Sequence, residues 1–315
     1  MTLRSVRVPL PPWSYGFVAA LAMWGASVAY SGAGSTAAIL ATALFFAAFS
    51  VLVGTGQMLV IASGPGNIDL SIPAVLTLAA YVAMTVMHGR DGLVVAGLLL
   101  ALVVGGAAGA FNYLAIAVLR LPPIIATLAS SFVFESLAFD LGGQTHLRPP
   151  DLLSAFAALR VGSVPVAPVG VMALTIATVL ALRRTIYGRH LLATGQSERA
   201  AILAGVDVGR VRFLAYVLCG AAAGLTGVLL AGFSGGASLN MGDTYLLSSI
   251  AVVVLGGTSV SGGQANAVGI WGAALFFDLM TTMLDTFRIQ AGGRYLVTGT
   301  LIVLIVAVVP RPRTG

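Results

Sequence analysis

The sequence predicts an all-α polytopic membrane protein with about ten transmembrane helices. Of its 315 residues, 58% are hydrophobic and only 8% are charged, whereas a typical soluble domain is about a quarter charged. The mean hydropathy is +1.02, and long apolar segments recur along the whole chain. These observations exclude a soluble cytosolic enzyme, a disordered chain and a disulfide-stapled secreted domain.

Ten apolar segments approach the ~20 residues that a helix needs to cross the hydrocarbon core. In chain order they lie near residues 14–30, 37–62, 71–87, 93–119, 123–140, 165–182, 211–233, 244–257, 264–287 and 295–310. Trp13 and Tyr15 suit an interfacial anchor, so we expect an uncleaved first helix rather than a secretion signal. The segments near 71–87 and 244–257 are short and lie beside glycine-rich stretches, which is typical of broken or re-entrant helices.

The arginines predict the orientation of the chain. Ten crossings with both termini in the cytoplasm place eleven arginines inside and five outside, in agreement with the positive-inside rule. The inner arginines are Arg4, Arg7, Arg120, Arg183, Arg184, Arg189, Arg199, Arg210, Arg212, Arg311 and Arg313, and the outer ones are Arg90, Arg148, Arg160, Arg288 and Arg294.

Several residue types are scarce, and their scarcity excludes classes of chemistry. All 16 basic residues are arginine, so the chain lacks the lysine of a standard Walker A ATPase site. Cys219 lies in an apolar run and is expected to be a buried hydrophobic residue. His88, His146 and His190 are far apart, so no metal site is expected. We therefore expect no catalytic residues and no cofactor bound by this chain.

The longest inner segment, from Arg183 to Arg212, contains a short predicted helix. Ser197 suits its N-cap, Glu198 suits the positive end of its dipole, and Gly205 suits a left-handed C-cap. Asp207 can cap the membrane helix that follows.

Ile202 and Leu203 give this short helix an apolar edge. Two interpretations of the edge remain open from the residues alone. The helix could be a solvated part of a loop, or its apolar edge could fill a groove on a cytoplasmic partner.

Two glycine-rich segments interrupt the apolar pattern. The first glycine-rich segment is Gly64–Ser71, and the second glycine-rich segment is Gly256–Gly263. If spans 2–5 repeat as spans 7–10, the repeat is inverted in topology, and interrupted segments in both halves indicate a transport pathway. The candidate pathway residues are Asn67, Asp69, Ser71, Thr258, Ser259 and Ser261. The same side chains could instead satisfy backbone groups, and Asp69 favours helix capping.

Glu135 and Asp278 lie inside apolar segments. A carboxylate at mid-membrane costs about 2.5–3.5 kcal/mol or more, so each is expected to face protein or water. We add both to the candidate pathway residues, with helix packing as the alternative. Asn112 is expected to make a polar contact between helices, and the small residues of Gly105–Gly109 are expected to allow close helix packing.

Four motifs resemble those of ribose/xylose-type permeases, the membrane subunits of bacterial ATP-binding-cassette (ABC) sugar importers. Residues 67–71 (NIDLS) resemble the glycine-led GIDLS signature, and residues 122–128 (PPIIATL) resemble the PPFIATL run. Residues 187–206 resemble the cytoplasmic segment YAIGGNEEAARLAGI, and residues 250–263 (IAVVVLGGTSVSGG) resemble IAAVVIGGTSLSGG. The resemblance covers roughly residues 40–310, in family order.

The resemblance implies a ten-span type II ABC importer permease fold, as one domain over residues 1–315 with a cytoplasmic coupling segment over 184–210. It implies a pore between two permease subunits, the second being another copy or a close paralogue. It also implies a cytoplasmic ABC ATPase, which binds ATP and Mg, and a periplasmic or lipid-anchored solute-binding protein. The implied ATPase-coupling residues are Glu198, Arg199, Ala200, Ala201, Ile202, Leu203, Ala204 and Gly205.

We therefore predict a permease subunit, without an ATPase site of its own, for a sugar or polyol importer of the bacterial inner membrane. Membrane lipids are expected partners, and nucleic acid is not. The alternatives are a branched-chain amino-acid ABC permease and an ion-coupled transporter that uses Glu135 and Asp278. An intramembrane protease would need a histidine at membrane depth beside a serine. Pro65, Asn67, Glu135 and Thr281–Thr282 depart from the family pattern, which leaves the solute open.

Overall fold

A computed structural model of the chain describes residues 11, 13–32, 34, 36–142, 148–162 and 164–308. Arg4, Arg7, His146, Arg311, Arg313 and the end of the tenth apolar segment lie outside the described residues. The α-helices of the described part are α1 (Ser14–Ser31), α2 (Thr36–Ala62), α3 (Ile72–Met87), α4 (Val94–Leu119), α5 (Pro123–Gly142), α6 (Asp151–Ala158), α7 (Ala167–Arg184), α8 (Ile186–Gln196), α9 (Glu198–Leu203), α10 (Val208–Ser234), α11 (Tyr245–Leu255), α12 (Ala267–Thr286) and α13 (Ala291–Val308).

Each of the ten predicted apolar segments contains a helix, namely α1 to α5, α7 and α10 to α13. Six helical stretches are long and apolar enough to cross a membrane. They are 36–62, 91–119, 123–142, 167–184, 208–234 and 267–286. The helices α3 and α11 are apolar but short, as expected from the sequence. The all-α, polytopic class is therefore confirmed, while the count of ten crossings stays a prediction.

Four elements were not predicted, namely two helices and the two strands of a hairpin. The helix α6 and a short antiparallel hairpin of β1 (Arg160–Val161) and β2 (Val164–Pro165) lie between α5 and α7. The helix α8 is capped by Thr185, whose hydroxyl oxygen accepts a hydrogen bond from the Gly188 nitrogen at 3.1 Å. The coupling segment therefore contains two consecutive helices, α8 and α9, rather than one.

The helices α2 and α10 lie at the centre of the fold, where α2 is buried from Ala47 to Ala62. A Cβ on Gly105 would lie 2.1 Å from the Gly220 carbonyl oxygen, and one on Gly109 would lie 2.1 Å from that of Tyr216. Because only glycine fits at such distances, α4 and α10 pack backbone to backbone, as the small residues predicted.

The order of helix lengths bears on the predicted repeat. The central helices α2 and α10 each have 27 residues, and each is followed by a short helix, α3 with 16 residues and α11 with 11. The first glycine-rich segment follows α2, but the second follows α11 rather than α10. In a repeat that pairs spans 2–5 with spans 7–10, the two segments therefore do not occupy equivalent positions. The inverted repeat itself stays a prediction.

Candidate functional site

The caps of α9 form as the sequence predicts. The Ser197 hydroxyl oxygen accepts a hydrogen bond from the Ala200 nitrogen at 3.3 Å. At the other end, Gly205 has a φ of +81°. The Gly205 nitrogen donates to the Ile202 carbonyl at 2.9 Å, and the Val206 nitrogen donates to the Ala201 carbonyl at 3.0 Å. This pattern is a Schellman motif, which needs a left-handed residue at the position of Gly205.

The apolar edge of α9 points away from the rest of the chain. Ile202 is 56% exposed and Leu203 is 83% exposed, whereas Ala201 is 4% exposed and faces inward. Glu198, Arg199, Ala200, Ala204 and Gly205 are exposed as well. Two neighbouring exposed aliphatic side chains on a capped helix are a suitable anchor for a groove on another protein.

The start of α10 is joined to α9. The Asp207 carboxylate accepts a hydrogen bond from the Arg210 nitrogen at 3.0 Å, so its predicted capping role is confirmed. Arg212 donates to the Glu198 carboxylate at 2.7 Å. Arg212 Nε also donates to the Ser63 carbonyl at 3.4 Å. The Arg212 side chain thus bridges α9 and the end of α2.

The first glycine-rich segment is a tight loop that turns back into the protein. Gly64 and Gly66 have φ values of +143° and +76°, which residues other than glycine rarely adopt. Asn67 is buried, and its amide donates to the Gly64 carbonyl at 3.2 Å. The Tyr216 hydroxyl donates to Asn67 Oδ1 at 3.5 Å. Asn67 therefore holds the loop together and ties it to α10.

Asp69 and Ser71 belong to a buried polar network at the start of α3. The Asp69 carboxylate accepts hydrogen bonds from the Ser71 nitrogen at 2.9 Å and the Ser71 hydroxyl at 2.7 Å. The Asn112 amide donates to both Asp69 oxygens, at 3.3 and 3.4 Å, and to Ser71 Oγ at 2.7 Å. Asp69 thus bonds to Ser71, the N-cap residue of α3, and not to a nitrogen of the first helical turn, so its predicted capping role stays a prediction. Asn112 makes the predicted polar contact between helices.

Gln57, on α2, completes the network and was not among the candidate residues. Its Oε1 atom accepts a hydrogen bond from the Asp69 nitrogen at 3.3 Å. Gln57 and Asn112 are fully buried, and Gln57 Nε2 and Asn112 Oδ1 have no hydrogen-bond partner in the described structure. The sequence contained one indication of this role, because Gln57 is a lone glutamine within an apolar run. A polar side chain at membrane depth needs a hydrogen-bond partner.

The second glycine-rich segment forms a turn beside the first. Thr258 is buried, and its hydroxyl oxygen accepts a hydrogen bond from the Asn266 nitrogen at 3.2 Å. The Ser259 carbonyl accepts from the Gly262 nitrogen at 2.9 Å, while Ser261 is exposed. A Cβ on Gly262 would lie 2.7 Å from Gly64 Cα. The structure thus brings together two segments that are about 190 residues apart in sequence.

Glu135 and Asp278 occupy different surroundings. Glu135 is exposed on α5, on a face that also exposes Phe132 and Phe139. Asp278 on α12 is half-buried, and it accepts a hydrogen bond from the Ser50 hydroxyl on α2 at 3.1 Å. Asp278 therefore joins two helices of the fold, whereas the Glu135 side chain lies on the exposed surface of α5. Within the described residues, no three His, Cys, Asp or Glu side chains form a group that could hold a metal ion.

Comparisons with known proteins agree with this architecture. The autoinducer 2 import system permease protein LsrC of Enterobacter sp. (strain 638) is 31% identical over 290 residues, covering 91% of this chain and 83% of the relative. The ribose import permease protein RbsC of Bacillus subtilis is 32% identical over 273 residues, covering 85% of this chain and 83% of the relative. The galactose/methyl galactoside import permease protein MglC of Haemophilus influenzae is 28% identical over 284 residues, covering 82% of this chain and 84% of the relative.

No solved structure matches the chain. Residues 39–306 match a family model described as the permease component of branched-chain amino acid transport systems. The match spans most of the 315 residues and includes both glycine-rich segments and the coupling segment. On this match and the similarity to import permeases, the chain belongs to that family of transport permease components, as a multi-pass membrane protein.

Proposed function

We propose that this chain is the permease subunit of an ABC importer that moves a sugar or sugar-like solute across the bacterial inner membrane. The observation that carries the proposal is a capped helix, α9, with an exposed apolar edge, in a chain of the permease family. Relatives at 28–32% identity are named for the import of ribose, galactose and autoinducer 2, which supports a sugar-like solute.

The energy for import comes from a separate cytoplasmic ATPase. The chain has no lysine and therefore no standard Walker A site, so ATP and Mg are bound by the partner. The arginine-rich coupling segment is cytoplasmic by the positive-inside rule, with both termini on the same side. Ile202 and Leu203 then face a partner in the cytoplasm, and the eight residues Glu198–Gly205 form the surface that the ATPase contacts.

The solute pathway lies between two permease subunits. On α5, Glu135 and Ser136 are exposed among apolar side chains. A carboxylate facing lipid at this depth would be costly, so this face is expected to meet water or a second subunit. A second copy or close paralogue that packs beside α5 would place Glu135 next to an aqueous route. A solute-binding protein on the outer side would deliver the solute to this route.

Transport requires no covalent chemistry in this chain. Closure of the ATPase dimer would move the two α9 helices, and the permease subunits would rock to open the route alternately outward and inward. Among the other candidate pathway residues, Asn67, Asp69, Ser71 and Thr258 bond to the protein itself. We therefore assign them to the mechanics of the gate, and we keep Glu135 as the leading candidate for contact with the solute.

The first experiment tests the coupling helix. We expect the double variant Ile202→Asp/Leu203→Asp to lose association with the ATPase. The substitutions remove two apolar side chains from the groove on the ATPase and place two carboxylates there instead. The measurement is co-purification of the ATPase in detergent. Val161→Asp on the hairpin, 73% exposed, is the matched control, since it places a new charge far from α9 in the chain. Full recovery of the ATPase with the double variant would contradict the proposal.

A second candidate is import of branched-chain amino acids, which the description of the family model favours. Titration of the neighbouring solute-binding protein with ribose, galactose, polyols and leucine separates the two. Uptake into vesicles then tests the energy source: an ABC importer stops when ATP is depleted and continues with a protonophore. The reverse result would favour an ion-coupled transporter.

A further inference from the structure

One side chain connects the coupling helix to the first glycine-rich segment. The Arg212 guanidinium bonds to the Glu198 carboxylate at 2.7 Å and to the Ser63 carbonyl at 3.4 Å. The Arg212 side chain is 20% exposed and the Glu198 side chain is 52% exposed, so the arginine side of the ion pair is partly shielded from solvent. Arginine suits this position because its planar guanidinium presents several donors in a fixed geometry. Arg212 therefore links α9 to Ser63, the residue that follows α2.

A backbone contact connects the coupling segment to the second glycine-rich segment. A Cβ on Gly195, at the end of α8, would lie 2.0 Å from the Ala62 carbonyl oxygen and 2.2 Å from the Gly263 nitrogen. The Gln196 amide donates to the Gly263 carbonyl at 3.3 Å, and the Gly263 nitrogen donates to the Ala62 carbonyl at 3.0 Å. Three separate stretches of chain thus meet here without intervening side chains. The end of α8 therefore packs directly against the backbone at the end of α2.

The first glycine-rich segment reaches α5 at its other end. The Leu70 nitrogen donates to the Thr127 hydroxyl oxygen at 3.1 Å, and the Thr127 hydroxyl lies 3.3 Å from the Ile68 carbonyl. Thr127 lies on α5, two helical turns before Glu135. Hydrogen bonds and covalent chain therefore connect α9 to the helix whose exposed face carries the candidate solute contact.

We propose that Arg212 is a positioning residue that transmits the movement of α9, through the first glycine-rich segment, to α5. This inference rests on the proposed function, since it requires that an ATPase moves α9. Packed elements joined by hydrogen bonds move together, and contiguous networks of this kind carry coupling between distant sites. Arg212 needs no contact with the ATPase or the solute for this role.

The test compares Arg212→Gln with Arg210→Gln in the complete importer, reconstituted with its ATPase and solute-binding protein. Arg210→Gln is a matched control because it removes the same charge two residues earlier in α10. Arg210 forms an exposed ion pair with Asp207. For Arg212→Gln we expect normal co-purification of the ATPase and normal basal ATP hydrolysis. Uptake, and the stimulation of ATP hydrolysis by the loaded binding protein, are expected to fall roughly tenfold. For Arg210→Gln both are expected to stay within about twofold of wild type.

Two further variants separate transmission from a purely structural role. Arg212→Lys keeps the charge that faces Glu198 and is expected to recover part of the uptake. In a Glu198→Gln background, Arg212→Gln is expected to cause a smaller additional loss than it does alone, because the two residues act as one unit. Equal uptake by Arg212→Gln and Arg210→Gln would overturn the inference, and so would loss of ATPase association with Arg212→Gln. If the wild-type chain itself fails to bind an ATPase, the proposed function fails instead.

Discussion

At the scale of single residues, Asn112 links α4 to the buried network at the start of α3. Its amide donates to Asp69 and Ser71, and these two residues set the start of α3. A buried carboxylate depends on such donors, because removal of one partner leaves an uncompensated polar group. Asn112 therefore ties the start of α3 to α4.

We expect Asn112→Ala to lower the free energy of unfolding in detergent by about 1–3 kcal/mol, because Asp69 and Ser71 each lose a buried partner. Unfolding followed by denaturant titration would measure this loss. Ser130→Ala is the control, since within the described residues the buried Ser130 hydroxyl bonds to the Ala126 carbonyl of its own helix alone. Equal effects of the two substitutions would show that the network adds no stability of its own.

Residue-level predictions succeeded where the controlling contacts are local. Ser197, Gly205 and Asp207 cap helices by bonds to residues one turn away, so their types and spacing were sufficient. Gln57 could not be assigned a partner in the same way. Its contact with the Asp69 nitrogen depends on the path of the loop between α2 and α3, which the residue types alone do not determine.

At the scale of elements, α8 shows why a helix can escape hydropathy analysis. It contains Arg189, His190 and two glycines, a composition that indicates a loop. Its helical form is supported by tertiary packing instead: Leu191 is fully buried, and a Cβ on Gly188 would lie 2.4 Å from Leu182 Cα. The long apolar helices were predicted correctly, because the length and hydropathy that a bilayer demands are visible in the sequence itself.

The contact between α4 and α10 offers a prediction at the same scale. We expect Gly109→Ala to destabilise the protein by about 1–3 kcal/mol, since its Cβ would lie 2.1 Å from the Tyr216 carbonyl oxygen and force the helices apart. Gly106→Ala, whose nearest contact would be 3.5 Å away, is the matched control and is expected to be neutral or slightly stabilising. Thermal unfolding in detergent compares the two. An unstable Gly106→Ala with an unaffected Gly109→Ala would contradict the packing described here.

At the scale of the whole molecule, the two glycine-rich segments and the coupling segment converge on one side of the fold. Gly262 contacts Gly64, and Gly195 contacts both Ala62 and Gly263. The motifs themselves were visible in the sequence, but their convergence was not, because it depends on how distant helices pack. The sequence also indicates that the second segment follows the eighth apolar segment, which is α11 in the structure.

Cysteine labelling tests the orientation of the whole chain. Cys219 is 1% exposed, so it leaves a low background. We expect Ala200→Cys, in the permease expressed alone, to react with an impermeant maleimide only after spheroplasts are permeabilised. Val161→Cys is expected to react in intact spheroplasts, since β1 lies on the predicted outer side. Ala200 is preferable to Ala201, which is buried. Labelling of Ala200→Cys in intact spheroplasts would place α9 on the wrong side for an ATPase.

The brevity of α9 has a consequence for engineering. Only six residues, Glu198–Leu203, form the helix, and two of them supply its apolar edge. Under the proposed function, the choice between one ATPase and another then depends on very few side chains of this helix. We expect that a permease carrying this hexapeptide from a relative would associate with the relative's ATPase and keep its own preference for solute. Chimeric import systems could thus be assembled by exchanging a single turn and a half of helix.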